Sequence, residues 1–117
     1  MREVLVVDDE EDVRDWSVIL FKDMGFKVYA ASQGREALDI LALHPSIGLL
    51  YTDIRMPVMS GADLAAHARE LYPELKIIFV TGYVAELPNV PGAPILRKPF
   101  LPHDLVEVVQ HTLGSGR

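Results

Sequence analysis

Five short apolar runs, separated by segments with helical periodicity, constrain the fold of this chain more than any other feature. Val, Ile, Leu, Phe and Tyr dominate them, and the first, third and fourth are nearly continuous rather than alternating with polar residues. Strands that are covered on both faces of a parallel sheet have this composition. The runs are 3–7, 27–31, 47–52, 76–80 and 94–97.

The segments between these runs predict helices. Residues 10–24 have apolar positions at helical spacing and are followed by Gly25, a common helix stop. Three further helices are predicted at 34–43, at 61–71 with Ser60 as the cap, and at 103–113. Strands that alternate with helices predict a doubly wound α/β sheet.

Residues 82–94 read GYVAELPNVPGAP and depart from this regular pattern. Three prolines and two glycines make a full-length helix unfavourable there, so we expect at most a single turn near 83–87. The fourth helix of the fold is therefore expected to be short or irregular.

Composition and charge exclude several classes of function. The chain has 117 residues, which suits one domain, and its formal charge of −6 is wrong for a general nucleic-acid binder. No apolar run reaches the roughly 18 residues of a membrane span, and the strand-like start leaves no room for a signal peptide. The absence of cysteine excludes disulfides, thiolate zinc sites and cysteine nucleophiles. We therefore expect a cytoplasmic domain without direct nucleic-acid or membrane contact.

Polar side chains follow four of the five runs. Asp8 and Asp9 follow the first run, Asp53 the third, Thr81 the fourth and Lys98 the fifth. In a parallel sheet these positions lie along one edge, where open α/β sheets bind their ligands. We therefore expect three carboxylates, one hydroxyl and one ammonium in one crevice.

This set of groups suits a metal-assisted phosphoryl acceptor. Carboxylate oxygens are ligands for Mg²⁺, which usually takes one or two of them together with water and phosphate oxygens. An ammonium and a hydroxyl stabilise phosphoryl oxygens, and an aspartate can itself become an aspartyl phosphate.

Each of these residues alone has a plainer interpretation. Asp8 and Asp9 would favour the N-terminus of a helix, and Asp53 could form a turn after its strand. Thr81 could satisfy its own strand, and Lys98 could be a solvated charge. The expected convergence of all five at one sheet edge favours the functional interpretation.

Four motifs, in order, resemble the receiver domain of two-component response regulators. They are VLVVDDE at 4–10, DIRMPVMSG at 53–61, VTG at 80–82 and LRKPF at 96–100. The resemblance extends over essentially the whole chain and implies a flavodoxin-like five-stranded sheet of order 2-1-3-4-5. It further implies a receiver domain at 1–113 and a C-terminal tail at 114–117, from either a single-domain regulator or a hybrid histidine kinase.

The resemblance also implies roles for the site residues. Asp53 is similar to the residue that accepts a phosphoryl group from a histidine kinase or a histidine phosphotransfer protein. Asp8 and Asp9 resemble the acidic pair that holds Mg²⁺, with Asp9 the more direct ligand, and the backbone carbonyl of Arg55 would supply a further ligand. A shift between two conformations would then carry the signal to a downstream protein.

Two further residues match the family pattern and one departs from it. Thr81 resembles the switch hydroxyl, Lys98 resembles the cation that pairs with the phosphate, and the Lys98–Pro99 bond is expected to be cis. The position of the family's switch aromatic holds Ile95, which has no ring to move with Thr81. An interaction module that resembles a receiver but signals without phosphorylation therefore stays open as an alternative.

The first predicted helix has more apolar residues than one buried face requires. Trp16 lies beside the inner stripe of this helix, and Val18, Ile19 and Phe21 add to its apolar surface. The first helix of receivers often faces the phosphohistidine donor, so the surface around Trp16 is a hypothetical docking site for that partner.

Two other functions match the residues less well. A flavodoxin-like electron carrier needs a phosphate-cradling loop after the first strand, where this chain has the acidic sequence DDEED at 8–12. An aspartyl-phosphate phosphatase commonly has a second aspartate two residues after its nucleophile, where this chain has Arg55. The four histidines are dispersed and lack the spacing of metal ligands.

Overall fold

A parallel five-stranded sheet with helices on both faces forms the core of the protein. The computed structural model describes residues 2–82, 90 and 92–114. None of the helices in these residues has the length and apolarity that a bilayer-spanning segment needs. In chain order the elements are β1 (Glu3–Val7), α1 (Glu11–Asp23), β2 (Lys27–Ala31), α2 (Gly34–Leu43), β3 (Leu49–Asp53), α3 (Gly61–Leu71), β4 (Lys76–Thr81), β5 (Ile95–Arg97) and α4 (Pro102–Thr112).

The strands lie in the order β2-β1-β3-β4-β5, and all neighbouring pairs are parallel. This arrangement confirms both the doubly wound sheet and the predicted order 2-1-3-4-5. The winding direction reverses between β1 and β3, where Val7 is paired with Thr52. The carboxyl ends of these two strands therefore flank the crevice in which such sheets bind ligands.

In the described part of the chain, each face of the sheet packs against a different pair of helices. Successive side chains of a strand point to opposite faces, so a strand covered on both sides is apolar along most of its length. Leu5 and Phe79 pack against α2 and α3 on one face. Val6 and Val80 pack against α1 and α4 on the other face.

The boundaries of β1 and β2 match the predicted ones, whereas those of β3, β4 and β5 differ by one or two residues. β3 begins at Leu49 rather than at residue 47, and it includes Asp53 because pairing with β4 continues to Val80. β4 likewise extends to Thr81. Two site residues are thus the last residues of buried strands rather than the first residues of loops. The turn expected near 83–87, and with it the irregular fourth helix, lies outside the described residues.

The loop after β3 returns closely onto the end of that strand. Ser60 caps α3, as predicted, because its Oγ accepts the Asp63 backbone N–H at 3.1 Å. Gly61 then donates its N–H to the Ile54 carbonyl oxygen at 2.7 Å. A Cβ on Gly61 would overlap the Asp53 carbonyl oxygen, which belongs to the rigid end of β3. The missing side chain at Gly61 therefore allows α3 to begin directly beside Asp53.

We expect Gly61→Ala to lower the free energy of unfolding by about 3 kcal/mol, because the added methyl group forces backbone movement in a packed region. Urea denaturation of wild type and variant measures this difference. Gly48→Ala is the matched control, since no atom lies within 4 Å of a Cβ placed there. Its stability should stay within about 0.5 kcal/mol of wild type. Equal losses in the two variants would contradict the close-approach argument.

Candidate functional site

Three carboxylates meet at the carboxyl ends of β1 and β3. Asp8, Asp9 and Asp53 each offer a carboxylate oxygen, and these oxygens lie within 4.8 Å of one another. Asp8 and Asp53 are 4% and 9% exposed, whereas Asp9 is exposed on the loop that leads to α1. The strand order brings them together, because β1 and β3 are neighbours in the sheet although far apart in sequence.

Lys98 lies between two of these carboxylates. Its Nζ is 3.5 Å from Asp53 Oδ2 and 3.6 Å from Asp8 Oδ2. The Lys98 backbone N–H donates to the Thr81 carbonyl oxygen at 2.8 Å, which holds the lysine beside the end of β4. The Lys98–Pro99 peptide bond is cis, as the resemblance implies.

The environment of Asp53 disfavours its negative charge. Burial raises the pKa of the Asp53 carboxyl above its ordinary value of 3.8, and the Asp8 carboxylate adds to the increase. The Lys98 ammonium and a hydrogen bond from the Arg55 backbone N–H lower the pKa, but the net direction is upward. One lysine does not balance two buried carboxylates, so an additional cation would stabilise this site.

The donor set fits Mg²⁺ or a similar hard cation. Such ions prefer oxygen ligands and often retain water or phosphate oxygens in the remaining positions. Asp8, Asp9 and Asp53 would hold the ion with three carboxylates, two of which are already shielded from bulk water. Arg55 lies in the exposed loop two residues after Asp53, and its carbonyl stays a predicted ligand.

The predicted switch residue lies at the end of β4. Thr81 is 3% exposed and is paired with Arg97 of the edge strand β5. Ile95 is half-buried on β5 opposite Phe79, so an aliphatic side chain occupies the position of the family's switch aromatic. The role of the Thr81 hydroxyl stays a prediction.

An apolar cavity of about 480 Å³ lies beside the charged site and reaches it at Lys98. The Trp16 and Phe100 rings form one of its walls, with their centroids 5.5 Å apart. Sequence reasoning missed Phe100, although its place directly after Lys98–Pro99 tied it to the site. Among the described residues, those that line the cavity are Asp12, Val13, Trp16, Ser17, Tyr51, Lys98, Pro99 and Phe100.

Tyr51 gives this apolar cavity a neutral polar group. Burial raises the pKa of its phenol, and the nearby Asp8 and Asp53 carboxylates raise it further. A hydrogen bond with Ser17 lowers the pKa but does not reverse the shift. The phenol therefore stays protonated over the whole physiological pH range.

The apolar surface on α1 is narrower than predicted. Phe21 is fully buried and packs edge-on against Tyr51, with ring centroids 5.0 Å apart. Its inclusion in the exposed surface was wrong, because α1 needs a large side chain to fill the space above β3. Trp16 and Ile19 are the large exposed side chains on this helix, at 41% and 57%.

The family model of the response regulator receiver domain matches residues 4–110 of this chain. The protein belongs to this family. The receiver assignment is confirmed by the match and by the sheet order.

The share of a curated relative that aligns with this chain differs from one relative to another. The response regulator receiver protein CpdR of Brucella abortus (strain 2308) is 36% identical over 97% of this chain and 98% of that protein. Sensor kinase CckA of the same strain is 34% identical over 94% of this chain, which spans only 12% of the kinase.

Solved receiver structures show the same fold. A response regulator receiver domain protein from Clostridium thermocellum superposes with a TM-score of 0.89 at 29% identity, covering 99% of this chain and 97% of that one. The receiver domain of the hybrid histidine kinase CckA gives a TM-score of 0.84 at 32% identity, covering 95% of this chain and 98% of that one.

The raised pKa of Asp53 predicts how stability changes with pH in the absence of divalent cations. The folded protein holds this proton more tightly than the unfolded chain, so the contribution of Asp53 to stability falls as pH rises above the ordinary value of 3.8. Asp53→Asn removes this penalty, and the variant should melt at a higher temperature than wild type at neutral pH in EDTA. The difference should shrink as pH is lowered towards about 4.

Thermal unfolding of both proteins at several pH values measures this difference. Asp39→Asn serves as the control, because Asp39 lies exposed on α2 beside Arg35. A variant at Asp53 that is less stable than wild type at neutral pH would contradict the argument.

Proposed function

We propose that this receiver accepts a phosphoryl group on Asp53 from a phosphohistidine of a histidine kinase or phosphotransfer protein, in a Mg²⁺-dependent reaction. One observation carries the proposal: the Lys98 ammonium lies within 3.6 Å of both Asp53 and Asp8, and Asp9 completes a cluster of three carboxylates. A flavodoxin-like electron carrier matches this site less well, because it needs a phosphate-cradling loop after the first strand, where this chain has the acidic sequence DDEED.

The reaction is a nucleophilic displacement at phosphorus. A carboxylate oxygen of Asp53 attacks, the bond between phosphorus and the donor imidazole nitrogen breaks, and the imidazole takes up a proton. Mg²⁺ bound by Asp8, Asp9, Asp53 and the Arg55 carbonyl would neutralise charge on the phosphoryl oxygens. Lys98 is close enough to Asp53 to pair with one of these oxygens, and the Thr81 hydroxyl would donate a hydrogen bond to another.

The product acyl phosphate adds negative charge to a site that already carries three carboxylates. This charge favours a conformation in which Lys98 and Thr81 both contact the phosphoryl group, so the signal is a shift between two populated states. Hydrolysis later restores the free carboxylate, and the exposed Arg55 side chain would affect the rate by controlling the access of water.

The donor protein is proposed to dock on α1 around Trp16. This ring is exposed on the same helix as Ile19 and borders the cavity that opens beside Lys98. Docking there would bring a phosphohistidine next to Asp53. The exposed carboxylates of Asp12 and Asp15 flank Trp16, so the docking surface of the donor should combine an apolar side chain with basic residues.

Incubation with acetyl phosphate tests the chemistry directly. Wild type should gain one phosphoryl group by intact-mass spectrometry in the presence of Mg²⁺ and none in EDTA. Asp53→Asn should gain none, whereas Asp39→Asn should react like wild type because Asp39 is exposed on α2, outside the carboxylate cluster.

A wild-type protein that gains nothing from acetyl phosphate or from any of a panel of phosphorylated histidine kinases and phosphotransfer proteins would contradict the proposal. The alternative, a receiver-like interaction module that signals without phosphorylation, would then be the better description.

Trp16→Ala tests the docking surface. Phosphotransfer from a protein donor found in that panel should slow by about tenfold, the effect of losing one strong interface residue. The reaction with acetyl phosphate should keep its rate, because this small donor needs no docking surface. Leu71→Ala is the control, since Leu71 is also a large exposed apolar residue but lies at the end of α3. Equal protein-donor rates for wild type and Trp16→Ala would exclude this surface.

A further inference from the structure

Arg14 connects the first turns of α1 to the carboxylate cluster. Its Nη1 donates a hydrogen bond to the backbone carbonyl oxygen of Asp8 at 2.8 Å, across six positions of sequence. The side chain is half-buried, so the contact is partly shielded from water. A charged donor makes a stronger hydrogen bond than a neutral one, and Arg14 therefore tethers the loop between β1 and α1.

This bond completes the restraint of Asp8. The Asp8 N–H donates to the Ala31 carbonyl oxygen at 3.2 Å, and its Oδ1 accepts the Glu10 N–H at 2.9 Å. Its Oδ2 lies 3.6 Å from the Lys98 ammonium. With Arg14 on the carbonyl oxygen, each polar group of Asp8 has a partner. The residue is fixed in both its side chain and its backbone.

The carbonyl that Arg14 holds belongs to the peptide unit that joins Asp8 to Asp9. A peptide unit is planar, so fixing its carbonyl oxygen fixes the direction in which the next residue leaves it. Asp9 is itself exposed, and the position of its carboxylate therefore depends on this backbone. Arg14 thus influences the position of the Asp9 carboxylate, which the proposed metal site requires.

We propose that Arg14 is a positioning residue for the divalent cation. It orients the Asp8–Asp9 peptide so that the three carboxylates converge on the proposed metal site. This inference rests on the proposed Mg²⁺-dependent function. It concerns a residue that touches neither the cation nor the phosphoryl group.

The positive charge of Arg14 acts in the opposite direction. A nearby guanidinium repels a second cation, so simple electrostatics predicts that its removal would strengthen Mg²⁺ binding. The half-buried guanidinium keeps contact with solvent, whose high dielectric constant weakens this repulsion. The hydrogen bond, by contrast, acts at a fixed 2.8 Å and sets geometry. We therefore expect the positioning effect to exceed the repulsion. When Arg14 is replaced, the loss of positioning raises the Kd for Mg²⁺, whereas the loss of repulsion lowers it.

Isothermal titration calorimetry with Mg²⁺ on the full chain tests the inference. Arg14→Met keeps the length of the side chain but removes its donors, and it should raise the Kd for Mg²⁺ by about tenfold, as the loss of a partner behind a metal ligand commonly does. Arg14→Lys keeps charge and one donor group and should give an intermediate Kd. Arg35→Met is the matched control, because it removes the same charge from an exposed position on α2; its Kd should equal that of wild type.

Thermal unfolding in EDTA separates positioning from general destabilisation. Arg14→Met should remain folded at the titration temperature, with weaker Mg²⁺ binding in the folded state. If it does not fold, Arg14→Lys carries the test, and a wild-type Kd in that variant would overturn the inference.

Unchanged or tighter Mg²⁺ binding by folded Arg14→Met would overturn the role of Arg14 while leaving the proposed function intact. A wild-type protein that binds no Mg²⁺ would overturn both, so the two failures are distinguishable.

Discussion

The excess of negative charge at the carboxyl edge of the sheet is the constraint on which the rest of this site depends. Buried Asp8 and Asp53 share one ammonium, that of Lys98, and Asp9 adds a third carboxylate nearby. Burial and the neighbouring Asp8 carboxylate raise the pKa of Asp53 despite the lysine, so the negative charge of Asp53 is disfavoured in this site. Such an arrangement costs stability in the resting protein and favours whatever brings positive charge. Under the proposed function, Mg²⁺ would relieve this imbalance and offset the further negative charge that a phosphoryl group brings.

The backbone, more than the side chains, gives the site its precision. Asp53 and Thr81 end two neighbouring strands, and Lys98 is tied to Thr81 by a backbone hydrogen bond of 2.8 Å. Gly61 lets α3 begin against the Asp53 carbonyl, and Arg14 holds the carbonyl of Asp8. Groups that react with charged substrates need positions defined to within a fraction of an ångström. The ends of hydrogen-bonded strands provide this rigidity, whereas a long loop would not.

The fold and the convergence of the site residues could be predicted from sequence because they depend on periodicity and on strand ends. Details that depend on tertiary packing could not. Helical spacing does not show which large residue of α1 fills the space above β3, and the structure assigns this to Phe21 while Trp16 remains exposed. The positive φ of 70° at Val58 is also beyond prediction, since a β-branched residue disfavours it and only the loop around it imposes it. The Arg14 contact likewise depends on how α1 packs against β1.

A short segment links the carboxylate cluster to the exposed surface of α1. Lys98 pairs with Asp53, and Phe100, two residues later, packs against Trp16 with ring centroids 5.5 Å apart. Ile95 occupies the position of the family's switch aromatic. This chain therefore has no aromatic ring at that position to move with Thr81. Under the proposed function, any displacement of Lys98 by a phosphoryl group would be transmitted to Phe100 and to the wall of the apolar cavity. Thermodynamic linkage requires the reverse effect. If a ligand at the carboxylate cluster changes the affinity for a donor at Trp16 by some factor, the bound donor changes the affinity of the cluster for that ligand by the same factor.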